Sequence, residues 1–168
     1  MYLELWGALW PIQSGNFKIW QLITHMFMHG GILHIFFNMF GLIMFGKILE
    51  NFWGAKRFFQ FYLICGIVAG IAHLLLSGSE GYAIGASGAV MGILAGFAYL
   101  FPNTPLFLFL IPIPIKAKWL IPGLMALDVF GAVSSQPSNI AHWAHLGGAA
   151  AGLLLVIIWN KSNRKTFY

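Results

Sequence analysis

The sequence predicts an all-α membrane protein, a polytopic bundle of five transmembrane helices forming a single domain over residues 1–168. Three observations predict it. Hydrophobic residues make up 60% of the chain and charged residues only 8%, whereas an ordinary soluble domain carries about 25% charged residues, so this chain could not cover a water-facing surface. Five segments have the length and apolarity of helical spans. The basic residues gather in the connections on one side of those spans. At 168 residues there is room for five or six spans with short loops and none for an appended globular domain.

Taken in order, residues 1–29 form an outer loop that lies at the membrane interface. The stretch from Met1 to Ile23 is rich in Trp and broken by Pro11 and Gly15, and aromatic side chains favour the headgroup zone. The helical core, residues 30–160, contains spans at Gly30–Leu49, Phe58–Ser77, Ile84–Phe101, Trp119–Val133 and Ile140–Trp159. The fourth is the shortest and contains Pro122. Between the third and fourth, Pro105 to Ile115 is apolar but short and studded with proline, which suits an interfacial stretch better than a span. Residues 161–168 form a cytoplasmic tail.

Lys47, Lys56, Arg57, Lys116, Lys118, Lys161, Arg164 and Lys165 lie on one side of the spans, with Lys18 alone opposite. The excess of Lys and Arg in cytoplasmic loops puts the amino terminus outside and the carboxyl terminus inside, and the setting is a cell membrane of the bacterial inner-membrane kind. The net charge of +5 is scattered beside apolar segments rather than gathered on one face, so nucleic acid is not an expected partner. A single cysteine, Cys65, excludes an intrachain disulfide. Met1 opens no cleavable secretory leader, so all the apolar segments are expected to be retained.

The first, third and fifth spans run in the same direction from the outer face, rising about 1.5 Å per residue. His34, Ser87 and His145 each fall within the first few residues of their span, and therefore at one shallow level. Polar groups from three helices converging at one depth, in a chain so poor in polar residues, point to a functional site. The third span opens Gly85-Ala-Ser87-Gly88 and continues with Gly92 and Gly96, a small-residue stripe against which another helix can pack. On the fifth span, His145 shares a helical face with Gly148 and Gly152. If the two stripes meet, so do Ser87 and His145, and a serine hydroxyl becomes a nucleophile when a neutral imidazole takes its proton. His34 and Asn38, at i and i+4, put two hydrogen-bond donors on one face, able to serve either an oxyanion or a polar clasp between helices.

These residues resemble the rhomboid intramembrane serine proteases across nearly the whole chain. The resemblance rests on His29 and His34-x-x-x-Asn38, on Gly85-x-Ser87-Gly88-x-x-x-Gly92, and on Ala144-His145-x-x-Gly148-x-x-x-Gly152. It implies a rhomboid-like bundle and a catalytic dyad of Ser87 and His145. It further implies an oxyanion site made from His34, Asn38 and the Ser87 backbone N–H, and substrates that are themselves transmembrane helices. No metal or cofactor is implied. Two departures accompany it: only residues 1–9 stand where six-helix relatives carry a first span, and Met91 stands where many carry an aromatic that packs on the catalytic histidine.

Other polar residues carry weaker signals. His25 and His29 have the i, i+4 spacing of a zinc pair but lack the glutamate of His-Glu-x-x-His, so no metal site is expected. His142 is expected to line the outer mouth and His73 to be structural. Glu4, Glu50 and Glu80 are expected to be solvated in loops and at the membrane edge. Asp128 is the one carboxylate within a span and would suit the third place in a triad, but the resemblance implies a dyad. Two rival functions are a rhomboid-like protein that binds transmembrane helices without cutting them and a small proton-coupled transporter. The transporter would need polar groups through the whole membrane thickness, whereas here they cluster in the outer half.

Overall fold

The computed structural model describes residues 2–77, 81–108, 111–134 and 141–163. Ile140, Glu80, Arg164 and Lys165, to which the sequence assigns places, lie outside the described residues. The chain opens with short helices α1 (Tyr2–Gly7) and α2 (Gln21–Thr24), the latter running into a 3-10 turn over His25–Phe27. Helix α3 (Ile32–Gly41) continues through a π-helical turn, Leu42–Gly46, into α4 (Lys47–Trp53) as one rod. After Gly54 come α5 (Ala55–Leu76), α6 (Ser87–Leu100), α7 (Ala117–Val133) and α8 (His142–Asn163).

Each of the five stretches expected to span holds a helix among the described residues, but the number of spans is not thereby five. Among the described residues, three of them, Ile32–Trp53, Ala55–Leu76 and His142–Lys161, are long and apolar enough to cross a membrane, and Ser87–Leu100 is apolar but shorter. The stretch expected to lie at the interface forms a two-stranded antiparallel hairpin, β1 (Pro105–Leu108) against β2 (Ile111–Lys116), with Pro105 opposite Lys116 and Leu106 opposite Ile115. Proline lacks the N–H that a central strand must donate, so a two-stranded sheet, which is all edge, is where such a sequence can still pair.

The bundle is inverted relative to a soluble protein. Its buried core is rich in small residues, including Ala69, Ala86, Ala89, Ala149 and Ala151, with Phe61, Phe97, Leu49 and Ile93 filling the lower part. Large apolar side chains face outward: Ile32 is 85% exposed, Leu33 71% and Phe130 72%. Hydrocarbon solvates such a surface, and without a hydrophobic drive between helices the bundle depends on close packing. Aromatic clusters mark both ends. The ring of Trp53 lies edge-on to Trp159 at 5.5 Å and tilted against Phe61 at 4.9 Å at the end bearing Lys56 and Arg57, and Trp6 meets Trp20 at 5.0 Å at the other. Such belts suit the two headgroup layers. Glu50 pairs with Lys47 at 3.3 Å.

Helix α8 is central, packing most extensively on α6 and α5. On its α6 side, a Cβ built on Gly148 would fall on the Gly88 carbonyl oxygen, and one on Gly152 would lie 2.6 Å from the Gly92 Cα. On its α5 side, Gly147 leaves room for Ala72 and the Val68 carbonyl. Gly96, the third member of the α6 stripe, departs from expectation: it makes room for Phe61 of α5, 3.1 Å from where its Cβ would be, and not for α8. At this level the ring of Phe61, not the backbone of α8, takes the space that the missing Cβ leaves. Gly148→Ala is therefore expected to cost about 1–3 kcal/mol or more through overpacking against backbone, which cannot yield like a side chain. Gly123→Ala meets nothing within 4 Å and should be neutral or stabilise by up to about 1 kcal/mol. Unfolding midpoints of both variants in detergent check this.

Candidate active site

The site is built where α6 and α8 begin side by side. Ser87 is the first residue of α6, and the cap residue, Ala86, offers no side-chain acceptor to the helix N-terminus. The uncapped N–H groups and the positive end of the helix dipole therefore surround the Ser87 side chain. Because Gly88 lets the Ala144 carbonyl approach to 3.2 Å from where its Cβ would be, the residues beside that contact also meet. The Ser87 hydroxyl lies 2.8 Å from Nε2 of His145. Both side chains are only partly buried.

His34 and Asn38 enter from α3. Gly85 has φ +115°, a region L side chains rarely adopt, and a Cβ there would lie 2.5 Å from His34 Nε2 and 3.7 Å from Asn38 Nδ2. Glycine is thus required twice at this position, by backbone and by space. It brings both nitrogens beside the turn that leads into Ser87. The Gly30 N–H donates to His34 Nδ1 at 3.3 Å, so in the neutral ring Nε2 carries the proton and faces the site as a donor. Asn38 Nδ2 donates one hydrogen to the His34 carbonyl at 2.8 Å and keeps a second. His29 stands edge-on to His34, ring centroids 5.2 Å apart.

The remaining predicted residues take less expected places. Met91 is buried against Ala95, Ala149 and Met125 rather than supplying a flat ring for His145. His142, expected at the outer mouth, has Nδ1 2.7 Å from Asp128 Oδ1. Asp128 Oδ1 is also 3.0 Å from Nδ1 of His145, a contact that the resemblance to a dyad does not imply. His73 bonds Ser77 Oγ through Nδ1 at 2.8 Å, a helix-end role. His25 points Nδ1 at the Gln21 carbonyl, 2.7 Å away.

The outer loop, expected only to lie at the interface, is packed down and holds the serine turn. Gln21 is wholly buried. Its amide nitrogen donates to the Leu5 and Asn16 carbonyls at 3.1 Å each, and its oxygen accepts from the Trp10 and Lys18 N–H groups. Met26 seats on Gly66, and His25 seats on Gly70. From this platform Leu9 pairs with Ala83 in both directions at 2.9 Å, and the His25 carbonyl accepts the Gly85 N–H at 2.8 Å. Sequence reasoning missed Gln21, because nothing local distinguishes an organising amide from the other polar residues of a loop.

Fold and site together define a polytopic membrane protein with a serine and a histidine paired at the heads of two close-packed helices. The chain belongs to the rhomboid family: the family's Rhomboid domain matches residues 16–162. It is 35% identical to RHOMBOID-like protein 6, mitochondrial, of Arabidopsis thaliana over 93% of this chain and 49% of that one. It is 30% identical to the rhomboid protease GlpG of Photorhabdus laumondii over 94% of this chain and 52% of that protein. To the putative rhomboid protease YdcA of Bacillus subtilis it is 32% identical over 83% of this chain and 67% of that one. The chain spans about half the length of several of these relatives.

Burial pushes the His25 imidazole down to about 4 from 6.5, an effect offset in part by its bond to the Gln21 carbonyl and reinforced by the facing His73. His25 thus stays neutral in the fold while the unfolded chain protonates it below pH 6.5. Its contribution is complete above that pH and is lost as pH falls toward about 4, a swing of about 3 kcal/mol. Unfolding midpoints in detergent should drop over this interval in the parent and less steeply in His25→Gln.

Proposed function

We propose that the protein is an intramembrane serine endopeptidase that cuts transmembrane-helix substrates near the outer membrane face. The observation that carries this reading is the 2.8 Å approach of the Ser87 hydroxyl to His145 Nε2 at an uncapped helix N-terminus. As Ser87 Oγ bonds to the scissile carbonyl carbon, its proton passes to Nε2 of His145. The oxyanion that forms receives hydrogen bonds from the Ser87 N–H, His34 Nε2–H and the second Asn38 Nδ2–H. Collapse of the intermediate breaks the C–N bond, and His145 returns the proton to the leaving amine. Water then attacks the acyl-enzyme by the same route.

A helical peptide bond is hidden by its own hydrogen bonds, so the substrate must unwind locally before it enters. Unwinding and deacylation both require water at the pair, and the partial exposure of Ser87 and His145 leaves room for it. The chemistry calls for no metal or cofactor. The relatives include a protein named as mitochondrial and two bacterial ones, so their similarity supports a bilayer setting rather than one compartment.

With the purified protein in liposomes and a transmembrane-helix substrate, Ser87→Ala and His145→Ala are each expected to abolish cleavage. His34→Ala or Asn38→Ala should lower it on the order of 10²-fold, as loss of one oxyanion donor does. A native protein that retains the substrate helix but never cuts it would favour the non-catalytic binding reading.

The reading also requires the site to open outward. Cysteine introduced as Asn16→Cys is expected to react with an impermeant maleimide in intact cells, and Lys161→Cys only after lysis, with buried Cys65 the only other thiol. The reverse pattern would mean that the basic connections face outward.

A further inference from the structure

Asp128 is the only acidic side chain that the described residues place against the site. It reaches it from α7, with the side chain 12% exposed. Its Oδ1 stands 2.7 Å from Nδ1 of His142 and 3.0 Å from Nδ1 of His145. The two histidines are one turn apart on α8 and close on one oxygen from either side. Gly131, one turn after Asp128, makes the arrangement possible: a Cβ there would lie 2.5 Å from Nε2 of His142. The imidazole of His142 therefore lies on the bare backbone of α7 while its Nδ1 holds the carboxylate.

From this geometry we infer that Asp128 is a positioning residue for His145, steadied by His142, so that the site works as a serine–histidine–aspartate array within a rhomboid bundle. The inference rests on the proposed Ser87–His145 chemistry and deepens it. An ionised carboxylate can only accept hydrogen bonds, so Nδ1 of His145 carries its proton and the lone pair of the neutral ring sits on Nε2. That nitrogen is the one 2.8 Å from Ser87. Asp128 thus selects the tautomer able to take the serine proton. When Nε2 becomes protonated, the carboxylate also faces the positive charge across a short bond. Met91 gives His145 no aromatic face to lie on, so the ring takes its orientation from its two nitrogens. His142 supplies the second hydrogen bond that prevents the carboxylate from rotating away.

The test compares Asp128→Asn, Asp128→Glu, His142→Phe and Ser87→Ala in the full chain, measuring kcat and KM separately on a transmembrane substrate in liposomes, with unfolding midpoints for each. Asp128→Asn is expected to lower kcat by on the order of 10²- to 10⁴-fold, because an amide can present N–H to Nδ1 and stabilise the wrong tautomer, while KM changes less than about twofold. Asp128→Glu, which keeps the acceptor one methylene further out, should recover part of the loss. His142→Phe should give a smaller loss in kcat with the same unchanged KM. Parent-like kcat in Asp128→Asn, a loss confined to KM, a failure of Asp128→Glu to recover any activity, or a loss that follows the unfolding midpoint would each overturn the inference. If Ser87→Ala cut as well as the parent, the underlying reading would fall instead, so the two failures are distinguishable.

Discussion

Where α6 meets α8, the Gly88 carbonyl occupies the space that a Cβ on Gly148 would need, and the Gly92 backbone does the same to Gly152. Everything at the site follows from that separation. The two helices run parallel and in register, so Gly88 faces Ala144 and Gly148, and the residues just beside that contact, Ser87 and His145, are left at hydrogen-bonding distance. In hydrocarbon, apolar side chains gain nothing by leaving the solvent, so contact between bare backbones is the means by which two helices hold a fixed register. A larger residue at any of the four glycine positions would widen the gap between Ser87 and His145.

The glycine contact sets the distance between Ser87 and His145, and the outer loop sets the angle. The turn before Ser87 holds Gly85 at φ +115°, and its direction depends on whether the segment leading to it is free. It is not free: Leu9 and Ala83 pair backbone to backbone, and the His25 carbonyl takes the Gly85 N–H. Those partners are themselves immobilised through Gln21, whose buried amide meets four backbone groups, and through seats on the glycines of α5. A buried amide with both ends satisfied is costly to disturb. The donors from His34 and Asn38 consequently meet a serine turn that is tied on its other side to the outer loop.

Helix α7 is held differently. It carries few buried residues, Ala117 and Ile121 at one end, and large exposed ones such as Leu127 and Phe130. Near the site its link to α8 is polar, through Asp128 and the ring of His142 lying on Gly131. The carboxylate that meets His145 also ties down the least buried helix of the bundle, so the packing of α7 and the proposed chemistry share the same atoms.

The sequence by itself determined the class of protein and the pair at its centre. Apolar segments of spanning length, a one-sided distribution of Lys and Arg, and glycine stripes beside Ser87 and His145 are local patterns, and a helix converts such spacing directly into faces and depth. His34 and Asn38 were legible for the same reason, since i and i+4 share a face wherever the helix goes. The tertiary structure alone decided that Gly96 serves Phe61 rather than α8, that a proline-rich stretch pairs with itself as a hairpin, that Gln21 organises the outer loop, and that Asp128 reaches both His142 and His145. Each of these depends on which way a helix is rotated about its axis or which backbone groups a loop meets. Those orientations are set by packing among distant segments, and no local spacing in the chain encodes them.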